Sequence, residues 1–336
     1  MKKKKVLAAA VAIMAAASMS ATDVYAAKAE KNDKITFSGS TKTEYVTEKE
    51  GSDTETKWKT EVKLNTLVKA DDRTNVMIGI NYENKDYEHD RTEGTEIEFE
   101  NLWVETKLTD KLMGRLGSQS LDIGKGLTID CDGVMGAKFS WDLDKNNAFQ
   151  LFAGRDGGSD VETVAPDEDP TSEKLNYVNY THSFDKGNVG TYYMRQNWNT
   201  VDKTKYKVGQ QKYWGLYSEY EVAPNVTLGA EYVRNSFTSK HGYVAELEVG
   251  SAKKIGDWKH TLTYISAPQY LYPNEDYTNY DDQVNKKGYK GIGVASMVRL
   301  TKASTVTLEH FWGDTDLEAG KDTGLSFTEV KLAVKF

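Results

Sequence analysis

Of the 336 residues only one is cysteine and five are proline. Beyond the first thirty residues, no apolar run approaches the roughly 20 residues that a membrane-spanning helix needs. The lone thiol, Cys131, cannot form an internal disulfide, although an exported chain would meet conditions that permit one. The five histidines, His89, His182, His241, His260 and His310, fall in no metal-ligand spacing. The chain has no Gly-x-Ser-x-Gly elbow. The glycine pairs at Gly124 and Gly126 and at Gly291 and Gly293 lack a following helix to supply free amides to a phosphate, so they read as backbone bends. No repeat of 20 to 50 residues and no internal linker divides the chain. On these grounds no catalytic residue, metal or cofactor is expected.

The N-terminus carries four lysines, an alanine-rich apolar stretch from Val6 to Met19, and small residues around Val24, Tyr25 and Ala26. That is the pattern of a secretory signal peptide, here residues 1–26, too short in its apolar part to serve as an anchor. Its removal takes away four lysines and one aspartate, which moves the formal charge from -8 to -11. An exported acidic chain is a poor partner for nucleic acid.

The remaining residues, 27–336, alternate polar and apolar side chains in segments of about ten. Sixteen such segments are expected, near 34–47, 56–69, 74–84, 95–108, 112–119, 133–141, 147–156 and 174–184. The series continues at 188–199, 209–222, 225–237, 242–253, 257–267, 290–301, 304–313 and 325–336. Short turns alternate with longer connections near 48–55, 84–94, 119–132, 157–173, 200–208, 268–289 and 314–324, with a brief one near 238–241. Ten residues suffice for a tilted strand to cross a bilayer, and a transmembrane barrel hides its membrane face by period-two alternation. The expected fold is therefore all-β: a transmembrane antiparallel barrel of sixteen strands, closed by pairing its first and last.

In 56–69, Trp58, Thr60, Val62, Leu64, Thr66 and Val68 alternate with Lys57, Lys59, Glu61, Lys63 and Asn65. The first set is expected outside and the charged set in the lumen. The same split puts Val76, Ile78, Ile80 and Tyr82 outside against Asn81 and Glu83, and Tyr243, Ala245, Leu247 and Val249 against Glu246 and Glu248. A soluble barrel would alternate in the same way. Aromatics near strand ends, Trp103, Trp141, Trp198, Trp258, Trp312 and Phe336, favour a membrane, where such rings settle at the interfaces.

The last ten residues end in Phe336, with Val330, Leu332 and Val334 on its face. This resembles the C-terminal signal of bacterial outer-membrane proteins, which implies recognition of that strand by the barrel-assembly machinery. The run from Met113 to Gln119 (MGRLGSQ), followed by Asp122, Lys125, Asp130 and Asp132, resembles the general porins of Gram-negative bacteria. The resemblance implies a third loop folded into the lumen, with Asp122, Asp130 and Asp132 as its carboxylates and Arg115 as a base on the facing wall. It also implies a homotrimer in the bacterial outer membrane. Lys57, Lys59, Lys63, Arg155 and Arg195 are further candidate wall bases, placed inward by alternation.

The function so implied is passive diffusion of ions and small hydrophilic solutes, with a modest cation preference if the carboxylates lie near the pore rather than on external loops. Three rivals stand beside it. A channel selective for a sugar or a phosphate-like anion would show inward arginines, lysines or stacked aromatics. An adhesin or receptor would use the acidic segments 157–173 or 268–289. An enzyme would need a nucleophile and a histidine brought together by the fold.

Overall fold

The computed structural model describes residues 34–87, 94–155, 174–197, 210–269, 271, 280, 288–315 and 323–336. Residues 1–26, expected as a signal peptide, and most of the connections expected at 84–94, 157–173, 200–208, 268–289 and 314–324 lie outside the described residues, as does Trp198.

Sixteen strands are present. They are β1 (Ile35–Glu50), β2 (Asp53–Lys69), β3 (Thr74–Tyr87), β4 (Gly94–Lys107), β5 (Leu112–Ile123), β6 (Ile129–Asp142), β7 (Asn147–Arg155) and β8 (Lys174–Phe184). The second half comprises β9 (Gly187–Asn197), β10 (Gln210–Ala223), β11 (Val226–Asn235), β12 (His241–Gly250), β13 (Trp258–Ala267), β14 (Tyr289–Arg299), β15 (Ser304–Asp314) and β16 (Gly324–Lys335). Each pairs antiparallel with its neighbours in sequence, and β1 closes on β16 from Ser40 opposite Lys335 to Glu50 opposite Leu325. Closure leaves no strand edge with unpaired backbone groups, which is what a strand-built element needs if its outer face is to sit in an apolar medium.

At one end the connections are short and locally determined. Asp71 accepts the backbone N–H of Arg73 and Thr74 at 2.8 and 2.7 Å, and Asp144 accepts those of Asn146 and Asn147 at 2.8 and 3.0 Å. Thr109 and Thr301 use their hydroxyls in the same way. These side chains substitute for a backbone turn acceptor.

The outer face is apolar, as the alternation predicts: Leu64, Ile78, Val104, Leu116, Leu216, Leu228, Tyr243, Leu262 and Leu308 are all exposed. Trp141, Trp258, Trp312 and Phe336 lie on this face, and Tyr45 packs on Trp58 with ring centres 4.9 Å apart. Trp103 does not join them. It is 7% exposed and points inward, because Leu102 and Val104 take the outer positions on either side. Phe336 exchanges both backbone bonds with Gly39, at 2.8 and 2.9 Å, and a Cβ at Gly39 would stand 2.7 Å from the Phe336 ring. The bare glycine thus makes room for the terminal aromatic at the closing seam.

Two connections are shorter than expected because the strands run on. β1 and β2 pair as far as Glu50 opposite Asp53, leaving only residues 51–52 as a turn, with Gly51 at φ 58°. β5 and β6 likewise extend to Ile123 opposite Ile129, through a bulge between Gln119 and Leu121. The segment expected as a loop at 119–132 is mostly a hairpin.

Candidate functional site: a hairpin and a charged cavity inside the barrel

The extension of β5 and β6 carries two kinds of side chain in alternation. Leu121, Ile123, Leu127 and Ile129 are buried, whereas Asp122, Asp130 and Asp132 are exposed. The apolar set packs into a cluster with Phe152, Tyr177, Tyr192, Met194, Tyr213, Val233 and Val244, inward side chains of β7 to β12. On this side of the barrel apolar and aromatic residues lie inside as well as outside.

The hairpin tip is held by a buried carboxylate. Glu231 of β11, 1% exposed, accepts the backbone N–H of Lys125 at 2.7 Å and of Leu127 at 3.2 Å through Oε2. Its Oε1 accepts the Tyr192 hydroxyl at 2.6 Å, and that hydroxyl lies 2.5 Å from Thr128 Oγ1. Gly124 (φ 71°) allows this approach, since a Cβ there would stand 2.7 Å from Glu231 Oε2. The tip side chain Lys125 bridges Glu246 at 2.6 Å and Glu219 at 3.3 Å. Glu219, Glu231 and Glu246 lie on β10, β11 and β12, several strands away from β5 and β6 around the wall. The hairpin therefore reaches across the interior, and its tip rests at mid-strand height.

The opposite wall is charged. A continuous run of ion pairs crosses the closing seam: Glu329 to Lys331 (2.9 Å), Lys331 to Glu44 (3.2 Å), Glu44 to Lys42 (3.1 Å) and Lys42 to Glu61 (2.8 Å). Lys63 continues it, contacting Glu61 at 2.9 Å, Glu100 at 2.6 Å and the hairpin's Asp132 at 3.0 Å. Lys59 pairs with Glu83 at 2.9 Å. Between this wall and the hairpin lies an open cavity of about 730 Å³, lined among the described residues by six lysines and eleven carboxylates.

Among the residues singled out from the sequence, Lys57, Lys59, Lys63, Asp130 and Asp132 line the cavity. Asp122 sits on the same hairpin but outside that lining, level with Asp130 across the ladder. Arg115 points inward near the short-turn end, where it binds Glu105 at 2.7 and 3.0 Å and stacks 4.0 Å over the Trp103 ring. It is not part of the cavity lining. Arg155 and Arg195 face outward. Their strand neighbours Phe152, Tyr192 and Met194 are the buried ones, so alternation carries both arginines to the exterior. The sequence pattern places Glu61 in the lumen and Lys125 in the hairpin segment without giving either a role, and it marks none of Glu44, Glu100, Glu231, Glu329, Lys42 and Lys331 as a site residue. The signal for several was the charge opposite the apolar face, as at Glu329 and Lys331 in the last strand. Nothing local marks Glu231, the lone acid among the inward residues Thr227, Gly229, Val233 and Asn235 of β11.

The chain overlays OprB of Pseudomonas putida with a TM-score of 0.61 at 9% identity, over 90% of this chain and 94% of that one. Salmonella typhi OmpF, solved with daunomycin, gives 0.59 at 11% identity over 90% and 97%. A Rh. blastica porin variant gives 0.54 at 9% over 90% and 100%. The fold is that of the sixteen-stranded porins. No protein-family model matches the sequence, and no curated protein is significantly similar to it. At such low identity the porin likeness carries the fold and leaves the function to the site.

Proposed function

We propose that this chain is an outer-membrane porin: a water-filled channel for passive diffusion of ions and small hydrophilic solutes, with a cation preference. One observation carries the reading. A closed barrel with an apolar exterior holds an open cavity in whose lining, among the described residues, eleven carboxylates outnumber six lysines. Fixed charges of both signs across a narrow gap order water and favour polar solutes, and the acidic excess concentrates cations within a Debye length of roughly 8 Å at physiological salt. The same excess disfavours a phosphate-like anion as the preferred solute.

In this reading residues 1–26 direct export and the mature barrel is 27–336. The short turns face the periplasm, as is usual for such barrels. The β16 strand ending in Phe336 is the recognition element for barrel assembly, and the chain associates as a homotrimer in lipid. Asp130 and Asp132 are the hairpin carboxylates at the constriction, and Lys57, Lys59 and Lys63 the bases facing them. Asp122 and Arg115 act at its margins.

The test is single-channel recording of the refolded mature chain in a planar bilayer, with reversal potential measured in a salt gradient. Stable openings with reversal towards the cation potential are expected. A protein that inserts and never conducts overturns the reading.

A further inference from the structure

On the outer surface, the ends of β7 to β11 nearest the long connections differ from the rest of the barrel. Arg155, Lys174, Arg195, Lys212 and Arg234 all lie within two residues of that end of their strands. All five are exposed and alternate with buried inward residues, Phe152, Leu175, Met194, Tyr213 and Val233. The ladder puts them side by side: Arg155 opposite Lys174, and Arg195 opposite Lys212. Arg234 lies one rung below, opposite Trp214, whose ring is 5.5 Å from that of Tyr232. Among the described residues of these five strands no carboxylate shares this outer end.

Directly below the cations the surface is hollowed. Ala137 and Ala153, paired across β6 and β7, are short side chains between the larger Phe139, Leu151 and Tyr193. They form the floor of an apolar groove of about 570 Å³ whose upper edge includes Arg195. A charged side chain facing lipid is costly at mid-bilayer and nearly free at the interface. Five of them gathered at one interface, over an apolar groove of this volume, match a ligand with an anionic head and an apolar tail.

We propose that this face binds an anionic membrane lipid, its phosphate-bearing headgroup among Arg155, Lys174, Arg195, Lys212 and Arg234 and an acyl chain in the groove over Ala137 and Ala153. The inference rests on the membrane reading above, but on the outer wall rather than on the lumen. Each basic side chain near an anionic headgroup contributes a factor of about five in affinity.

The experiment is native mass spectrometry of the full mature protein exchanged with dioleoyl phosphatidate against dioleoyl phosphatidylcholine. Retention of phosphatidate over phosphatidylcholine is expected. Arg195→Gln alone lowers that preference by about fivefold, and Arg195→Gln, Lys212→Gln and Arg234→Gln together lower it by about a hundredfold. The same charge change at the short turns, Lys111→Gln, Lys145→Gln and Lys186→Gln, leaves it in place. Equal retention of both lipids by the unaltered protein, or equal loss in the two triple variants, overturns the proposal. A preference that disappears in millimolar inorganic phosphate also overturns it, since the site would then hold the free anion. The segment 156–173 has seven acidic residues and no basic one. A lipid preference that arises only after these acids are changed to amides means the cations serve that segment instead, which also overturns the proposal. Conductance of the triple variant is expected to stay unchanged, so a protein that binds lipid without conducting fails the channel reading alone.

Discussion

The two sides of the barrel interior solve the same problem differently. On the side of β1 to β4 and β16, many inward positions are Lys and Glu, joined in a run of ion pairs from Glu329 to Lys63 and open to a cavity. On the side of β7 to β12, inward positions are Phe152, Tyr177, Tyr192, Met194, Tyr213 and Val233, and the hairpin of β5 and β6 fills the space against them. Charges on a wall repel close packing and keep water; apolar rings exclude it. One side thus behaves as a pore lining and the other as a domain core that happens to lie inside a barrel. The hairpin belongs to both, with Leu127 and Ile129 towards the packed side and Asp130 and Asp132 towards the open one.

The hardest way to break this arrangement is to place a charge in the packed side. Leu127→Asp buries a carboxylate among apolar side chains, which costs several kcal/mol and exceeds what the tip contacts return. The hairpin is expected to leave its seat while the sixteen-strand ladder, which needs no tip contact, stays closed. Single-channel conductance should rise, with little change in the strand signal of circular dichroism. A lower conductance, or loss of the barrel, would show that the packed side holds up the wall.

A milder intervention removes the acceptor and keeps the apolar seat. Glu231→Leu leaves the amides of Lys125 and Leu127 without their carboxylate, a loss of about 1–3 kcal/mol for buried donors. The seat then holds the tip only part of the time. Current noise in the open state should increase relative to the unaltered channel, whereas mean selectivity should move less.

On the open side the expected effects are electrostatic and smaller. A unit charge about 10 Å from a permeating ion in water is worth roughly 0.4 kcal/mol, a factor of about two in relative permeability. Lys63→Met leaves Glu61, Glu100 and Asp132 facing one another and should raise the cation-to-anion ratio by about twofold. Asp132→Asn should lower it by a similar factor. Asp122→Asn, outside the cavity lining, should change it less, and reversal potentials measured in one salt gradient decide the order. An equal shift from Asp122 would mean that ions also pass on the packed side.

This division also explains what was legible in the sequence. The sixteen strands were, because the outer face is apolar all round and its period of two survives whatever lies inside. The extra pairs beyond Thr47 in β1 were not: Glu48 faces Glu55 on one side and Lys49 faces Thr54 on the other, so both faces are polar and no alternation remains to read. Arg155 and Arg195 were assigned inward by a rule that puts charge in the lumen. The rule holds at Lys59 and Lys63 and fails at β7 and β9, where Phe152, Tyr192 and Met194 occupy the inside. A strand buried apolar on one side and lipid-facing on the other has no polar face to mark its lumen. The seat of the tip depended on Glu231, more than a hundred residues from Lys125, and no local pattern links them.

The smallest expected effect tests whether the two sides differ only in the interior. Asp71 closes a turn between β2 and β3 on the open side, and Asp144 one between β6 and β7 on the packed side. Backbone N–H groups, of Arg73 at the first and Asn146 at the second, hold each carboxyl below its usual value of 3.8. A carboxyl depressed on folding stabilises the fold above its unfolded value, and that contribution is lost as pH falls through the lower, folded value. Asp71→Asn and Asp144→Asn should therefore each lower the thermal midpoint slightly at pH 7, and each difference should shrink as pH falls below the usual carboxylate range. Both carboxylates are solvent-exposed and make the same kind of turn, so the two shifts should match. Unequal shifts would mean that the packed interior reaches down to the turns, and that the barrel's two sides differ in their strands as well as in what those strands enclose.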